Sequence, residues 1–167
     1  MTDAELSARI RERLAGIHER IAMAGGRDVE VLAVTKTFPA AVVDAAVAAG
    51  CRTVGENYAQ EVAAKWPEVE AAPELHFIGQ LQTNKVRILA PYVAVWETVD
   101  RPSVVTELAK RVPGAKVLVQ VNTTGEPGKG GHPPLPGSSD VSIWIRTCAP
   151  GARLAISVVS AGRSTVS

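Results

Sequence analysis

A chain of 167 residues, 46% of them hydrophobic, is long enough for one domain with a substantial core. A formal charge of +1 provides no basic face of the kind that attracts nucleic acid or an anionic membrane surface. Cys51 and Cys148 lie far apart without metal-ligand spacing, so neither a disulfide framework nor a zinc site is expected.

The sequence opens on Met1-Thr2-Asp3-Ala4-Glu5, which has neither the basic leader nor the apolar segment of a signal peptide. No apolar run reaches bilayer-spanning length, and a cytoplasmic protein is expected. Thr2 and Glu5 have capping-box spacing, and Leu6, Ile10, Leu14, Ile17 and Ile21 then follow on one helical face until Gly25-Gly26. Val31-Leu32-Ala33-Val34-Thr35-Lys36 reads as a strand buried on both faces that ends in a lysine. Pro39 suits the first turn of a helix whose short apolar face (Val42, Val43, Ala46, Val47) is closed by Gly50. Arg52-Thr53-Val54 is a small strand, followed by Gly55-Glu56-Asn57 and a helix from about Tyr58 to Trp66 that Pro67 stops. Leu75 to Gly79 is a third strand, Gln80 to Asn84 a loop, and Lys85 to Leu89 a short helix. Tyr92 to Glu97 is a fourth strand, Asp100 caps a helix through Val104, Val105 and Leu108, and Lys116 to Val121 is a fifth strand.

With Val31, Thr53, Leu75, Val95 and Val117 as markers, the strands recur every 20–22 residues. Strands alternating with helices at this period pair in parallel, because a crossover helix must carry the chain back. An open doubly wound sheet would show a glycine-rich turn after its first strand, and Thr35-Lys36-Thr37-Phe38-Pro39 has no glycine. The expected fold is therefore α/β, a parallel (β/α) barrel of the TIM type. Eight such units need about 170 residues after the first helix, more than remain, so the barrel is expected to be incomplete, with about five clear units.

The composition changes after Gly131. Residues 132–167 hold seven of the nine serines but only four of the 35 charged residues, with no lysine or glutamate. His132-Pro133-Pro134-Leu135-Pro136-Gly137-Ser138-Ser139 reads as linker. Val141 to Ile145 and Leu154 to Val159 have strand character, with no capped helical period between them. Either this is a genuine non-barrel tail or the reading frame changes near Gly131, and the second account is preferred. The expected division is a partial barrel over 1–131 and a divergent tail over 132–167.

Parallel neighbouring strands bring their carboxyl ends to one rim. That rim collects Lys36, Asn57, His76 with the Gly79 to Lys85 loop, Glu97 with Asp100, and Asn122 with the loop to Lys129. A lysine partly desolvated there becomes a better nucleophile towards carbonyls, whereas an ordinary strand-end lysine reaches into water. Taken singly, Asn57 and Asp100 serve equally as helix caps and His76 as a satisfied core residue. Gly125 to Gly131 is glycine-rich, but Lys129 precedes neither Ser nor Thr and the glycine spacing is wrong, so a nucleotide P-loop is rejected. No Ser-His-Asp order, metal-binding histidine pair or carboxylate dyad assembles.

Four stretches carry a resemblance: Leu32-Ala33-Val34-Thr35-Lys36-Thr37; Gly55-Glu56-Asn57-Tyr58; His76-Phe77-Ile78-Gly79 through Leu81-Gln82-Thr83-Asn84-Lys85; and Gln120-Val121-Asn122 through Lys129-Gly130-Gly131. In that order and spacing, over roughly residues 5–131, the chain resembles the pyridoxal phosphate homeostasis family, small proteins similar to the N-terminal barrel of alanine racemase. The resemblance implies a (β/α)8 barrel preceded by a helix, with pyridoxal phosphate as cofactor, held on Lys36 as an internal aldimine. It implies Asn57, His76, Ile78 and Asn84 as further cofactor-binding residues and Lys129 in a nearby loop. The Ser/Gly-rich motif and Arg-Gly segment that the family's later strands supply are not found after Gly131, and Ala161-Gly162-Arg163-Ser164 does not replace them. The chain thus looks like the first five units with a foreign end, and anchoring of the phosphate is expected to suffer.

The function implied is a carrier that binds pyridoxal phosphate and contributes to its intracellular homeostasis, more a non-catalytic binder than an enzyme. Amino acids or pyridoxal phosphate-dependent apo-enzymes are its expected partners, and a monomer or weak dimer its expected state. One alternative is a racemase-like enzyme, which needs a second base. In the racemases that base is a tyrosine from an additional domain, and here only Tyr58 and Tyr92 are present. The other is a truncated product with impaired cofactor binding.

Overall fold

The computed structural model describes residues 2–122 and Gly131, together with the backbone of 143–147 and 155–157. Thr2 and Glu5 form the expected capping box: the Thr2 hydroxyl accepts from the Glu5 amide, and the Glu5 carboxylate accepts from the Thr2 amide at 2.7 Å. Helix α1 (Asp3–Met23) starts there, and its half-buried stripe packs on α2 (Ala40–Ala48). Gly25, at φ +76°, supplies the left-handed turn that ends α1.

The βα repeat then runs β1 (Leu32–Val34), α2, β2 (Thr53–Glu56), α3 (Ala59–Lys65), β3 (Glu74–Phe77), α4 (Thr83–Leu89), β4 (Val95–Val99), α5 (Pro102–Arg111) and β5 (Lys116–Val119). These five strands lie side by side in sequence order, all parallel. The register aligns Leu32 with Thr53 and Glu74, and Val34 with Gly55, His76, Val95 and Lys116. Each strand is added beside its predecessor, which is how a βα barrel wall grows.

Two further strands extend the sheet beyond β5: β6 (Ile143–Thr147) and β7 (Ala155–Ser157), each antiparallel to its predecessor. They fall close to the two strand-like stretches of the tail. Antiparallel neighbours need no crossover helix, in keeping with the absence of a capped helical period between them.

The core lies between the sheet and α2–α5. Val54, Leu75, Phe77, Trp96, Val99 and Val117 project from the strands to meet Val43, Val62, Val86, Leu89, Val104 and Leu108 from the helices. The Phe77 and Trp96 rings meet at 6.5 Å between centroids, tilted by 54°.

Several boundaries differ from the sequence expectation, each for a local reason. β1 stops at Val34, and Lys36 occupies the turn beyond it rather than the strand end. Tyr92 and Val93 do not begin β4, because their amides bond the Leu89 carbonyl in a turn that closes α4. Pro67 ends α3, yet the chain continues through one 3-10 turn, Trp66–Glu68, where the missing proline N–H is not needed. Asp100 is not the cap of α5. Arg101 holds that position without a side-chain cap, and the Asp100 carboxylate instead accepts from the Arg101 guanidinium at 2.6 Å.

Candidate functional site

Alternation along the strands sorts the side chains onto two faces. Leu75, Phe77 and Trp96 face the helices, so Leu32, Val34, Thr53, Gly55, Glu74, His76, Val95, Lys116 and Leu118 belong to the opposite, inner face. A Cβ built on Gly55 would lie 3.1 Å from Ile78 Cδ1 and 3.2 Å from Leu32 Cδ2, which places those side chains together there.

The hydrogen-bond ladder continues past the strand ends. The Thr35 amide donates to the Gly55 carbonyl at 3.0 Å, and the Ile78 amide to the Glu56 carbonyl at 2.8 Å. Past the paired row of Val34, Gly55 and His76, the carboxyl rim carries Lys36 in the turn after β1, Asn57 directly after β2 and Ile78 directly after β3. Lys36 is half-buried, and no hydrogen bond or ion pair engages its amine among the described residues. Phe38 and Tyr58, close by in sequence, stand about half exposed.

Beneath that rim the inner face is polar. His76 Nδ1 lies 2.5 Å from a Glu97 carboxylate oxygen, and its buried Nε2 has no hydrogen-bond partner among the described residues, 3.8 Å from Glu74. Glu74 in turn accepts from Lys116 Nζ at 3.3 Å. Acid, imidazole, acid and ammonium thus run across β4, β3 and β5, and the Glu97 carboxylate fixes the orientation of the His76 ring.

On the helix side the turn carrying Lys36 is gripped from below. Lys65, near the end of α3, donates from Nζ to the carbonyls of Thr35 and Phe38, both at 3.0 Å, and pairs with Glu56 at 2.6 Å and Glu61 at 3.2 Å. The Thr35 hydroxyl donates to the same Glu56 oxygen at 2.6 Å, and Glu61 accepts from the Thr37 amide at 2.5 Å. Glu56 is fully buried and its second oxygen has no partner among the described residues. The sequence reading missed Lys65, Glu56 and Glu61. One signal was available: on α3, Ala59 and Val62 set the buried face, and Lys65 falls on it where an apolar residue belongs.

The next loop is pinned from two sides. A Cβ on Gly79 would lie 2.0 Å from the Asn57 carbonyl oxygen, so only glycine lets these two chain segments meet. The Thr98 hydroxyl donates to the Gly79 carbonyl, and Arg101 donates to the Leu81 carbonyl at 2.6 Å.

Of the residues singled out in the sequence, Lys36, Asn57 and Ile78 each lie just beyond the end of one of three adjacent parallel strands, and His76 lies on the third of them. Asn84 is exposed in the first turn of α4. Asn122 is half-buried after β5, and Gly131 returns against its backbone. Lys129, the linker of 132–139 and Ala161-Gly162-Arg163-Ser164 lie outside the described residues. Among the described residues no group of three His, Cys, Asp or Glu side chains is placed to hold a metal ion, and no helix is long and apolar enough to cross a membrane.

No protein-family model matches the chain. Its homologues among curated proteins are named pyridoxal phosphate homeostasis protein. The one from Pseudomonas aeruginosa is 42% identical over 139 residues, which is 78% of this chain and 57% of that protein. The one from Escherichia coli K12 is 35% identical over 136 residues, 73% of this chain and 58% of that protein. The chain therefore spans less than two thirds of the length of these relatives. Among solved structures, PipY of Synechococcus elongatus PCC7942, with pyridoxal phosphate bound, superposes with a TM-score of 0.64 at 30% identity, covering 74% of this chain and 57% of PipY. A protein of unknown function from Bifidobacterium adolescentis superposes with a TM-score of 0.68 at 32% identity, covering 78% of this chain and 60% of the other. The shared fold is of the TIM-barrel type, of which the described residues carry four consecutive βα units and a fifth parallel strand.

Proposed function

From its kinship with the pyridoxal phosphate homeostasis proteins, we propose that this chain binds pyridoxal phosphate through Lys36 and acts as a carrier of that cofactor. The observation that supports this most is the state of Lys36: a half-buried amine at the carboxyl rim with no partner among the described residues. Lys65 and Lys116, by contrast, commit their ammonium groups to carboxylates and carbonyls. Pyridoxal phosphate supplies an aldehyde with which a primary amine condenses.

The residues present fit that aldehyde and its ring. Lys36 provides the amine, Asn57 a neutral polar side chain at the same rim, and Ile78 an apolar wall. His76, tied to Glu97, gives the rim a polar floor of fixed orientation. Asn84 stands at the solvent side, where its amide is free to meet a polar substituent. Delivery to apo-enzymes and intracellular homeostasis are part of the same reading.

The test is direct. Incubation with pyridoxal phosphate, borohydride reduction and peptide mapping should place a pyridoxyl group on Lys36 and on no other lysine at comparable yield. Lys36→Ala should lose both that adduct and the visible absorption band. A native chain that gives neither band nor Lys36 adduct refutes the proposal.

A further inference from the structure

Lys65 holds a position that α3 would ordinarily give to an apolar residue, and its side chain is only 6% exposed. An ammonium has three hydrogens, and this one meets four acceptors: the Thr35 and Phe38 carbonyls, Glu56 and Glu61. Two of the four are backbone carbonyls on either side of Lys36-Thr37. A third, Glu61, also takes the Thr37 N–H. Thr37 has φ +67°, a left-handed conformation that a β-branched residue adopts only when its surroundings impose it.

We propose that Lys65 is a positioning residue for Lys36: its buried cation, with Glu61, clamps the turn that presents the Lys36 amine at the rim. The inference rests on the reading of Lys36 as the reactive amine. It divides the labour between two lysines of one chain. Lys65 is sealed under the turn with every donor engaged and has no route to a carbonyl compound. Lys36, in the same turn, is half-buried, and no hydrogen bond or ion pair engages its amine among the described residues. Removing the cation leaves the Thr35 and Phe38 carbonyls and the buried Glu56 without their shared donor, and the turn loses the contacts that hold Thr37 at positive φ.

Lys65→Met keeps the length and removes the charge, and its folding is checked by circular dichroism. Lys36 modification is then followed by two reagents and mapped by mass spectrometry, with exposed Lys110 as internal reference. Pyridoxal phosphate with borohydride needs an organised site. Trinitrobenzenesulfonate needs only access. In folded Lys65→Met, capture of pyridoxal phosphate at Lys36 should slow about tenfold, because misplacement of the reacting group is costly. Trinitrobenzenesulfonate labelling of Lys36 should rise roughly threefold as the turn opens. Lys110 should not change with either reagent.

Unchanged Lys36 rates, or rates that move the same way with both reagents, overturn the inference. If Lys65→Met does not fold, Glu61→Gln decides in its place, since that side chain is 23% exposed and lies at the edge of the cluster. It should show the same opposed pattern at roughly a third of the size, and native rates there also overturn the inference. If the native chain captures no pyridoxal phosphate while trinitrobenzenesulfonate labelling still rises in the variant, the cofactor reading falls and the positioning role stands.

Discussion

Gly79→Ala tests how closely the rim is built. The new methyl would stand 2.0 Å from the Asn57 carbonyl oxygen, 2.7 Å from its carbon and 2.9 Å from Asn57 Cα. All three are backbone atoms, so no side chain can swing aside. Comfortable contact lies near 3.5 Å, and the two segments must therefore part by about 1 Å or more. The Ile78 amide on the Glu56 carbonyl at 2.8 Å ties them together, and the Thr98 hydroxyl on the Gly79 carbonyl holds the Gly79 segment to β4. Overpacking of this kind costs roughly 1–3 kcal/mol. Breaking one of the two ties adds about 1 kcal/mol. A loss of about 3 kcal/mol is a large part of a typical domain's total of roughly 5–15 kcal/mol. With a urea slope of about 1–3 kcal/mol per molar, the unfolding midpoint should fall by roughly 1–3 M. Trp96, fully buried beside Phe77, gives the fluorescence signal. Asn57 follows β2, the strand paired with β1 ahead of Lys36, so borohydride-trapped pyridoxal phosphate should fall in the same variant. A midpoint unchanged within error would refute the close-approach argument.

Two other perturbations probe the interior. Glu56→Gln removes the charge of the Lys65 cation's shortest partner at a buried site, and breaking a buried ion pair in this way should cost roughly 3–5 kcal/mol, read as a lower urea midpoint. A native-like midpoint would mean that Glu61 and the two carbonyls suffice. Burial raises the Cys51 thiol above its ordinary value of 9.0. The unfolded chain therefore gives up this proton first as pH rises. Stability should be full below the unfolded pKa and decline as pH climbs through the folded one. Comparing urea midpoints across alkaline pH for native and Cys51→Ala isolates this contribution, and identical slopes would discount it.

Much of the fold was legible because it rests on local periodicity. The capping box at Thr2 and Glu5 and the 20–22 residue spacing of the strands are properties of short windows, and the structure carries them through. Boundaries were less legible where two local rules compete. Tyr92 and Val93 are good strand residues, but their amides close a helical turn on Leu89. Asp100 is a good cap residue, but Arg101 next to it takes its carboxylate. Lys36 and Asn57 were expected at the rim because each stands at the end of an expected strand, whereas Ile78 was named only through the family resemblance. Glu56 and Lys65 were missed because a buried ion pair contradicts the pattern on which a sequence reading relies, although Lys65's place on the apolar face of α3 was a signal.

By itself the sequence determined that the chain alternates strand and helix, that the first five strands pair in parallel, and that a lysine closely follows the first of them. Those follow from side-chain period and from the need for a crossover between parallel strands. Only the tertiary structure decided that Lys65 is fully engaged while the Lys36 amine has no hydrogen-bond or ion-pair partner among the described residues. Lys36 and Lys65 differ little as residues. Strand register and the packing of α3 place Lys65 beneath the turn, among two carbonyls and two carboxylates, and give the Lys36 amine no such partners among the described residues. That difference is one of neighbours distant in sequence, and burial and electrostatics are set by those neighbours rather than by the local chain.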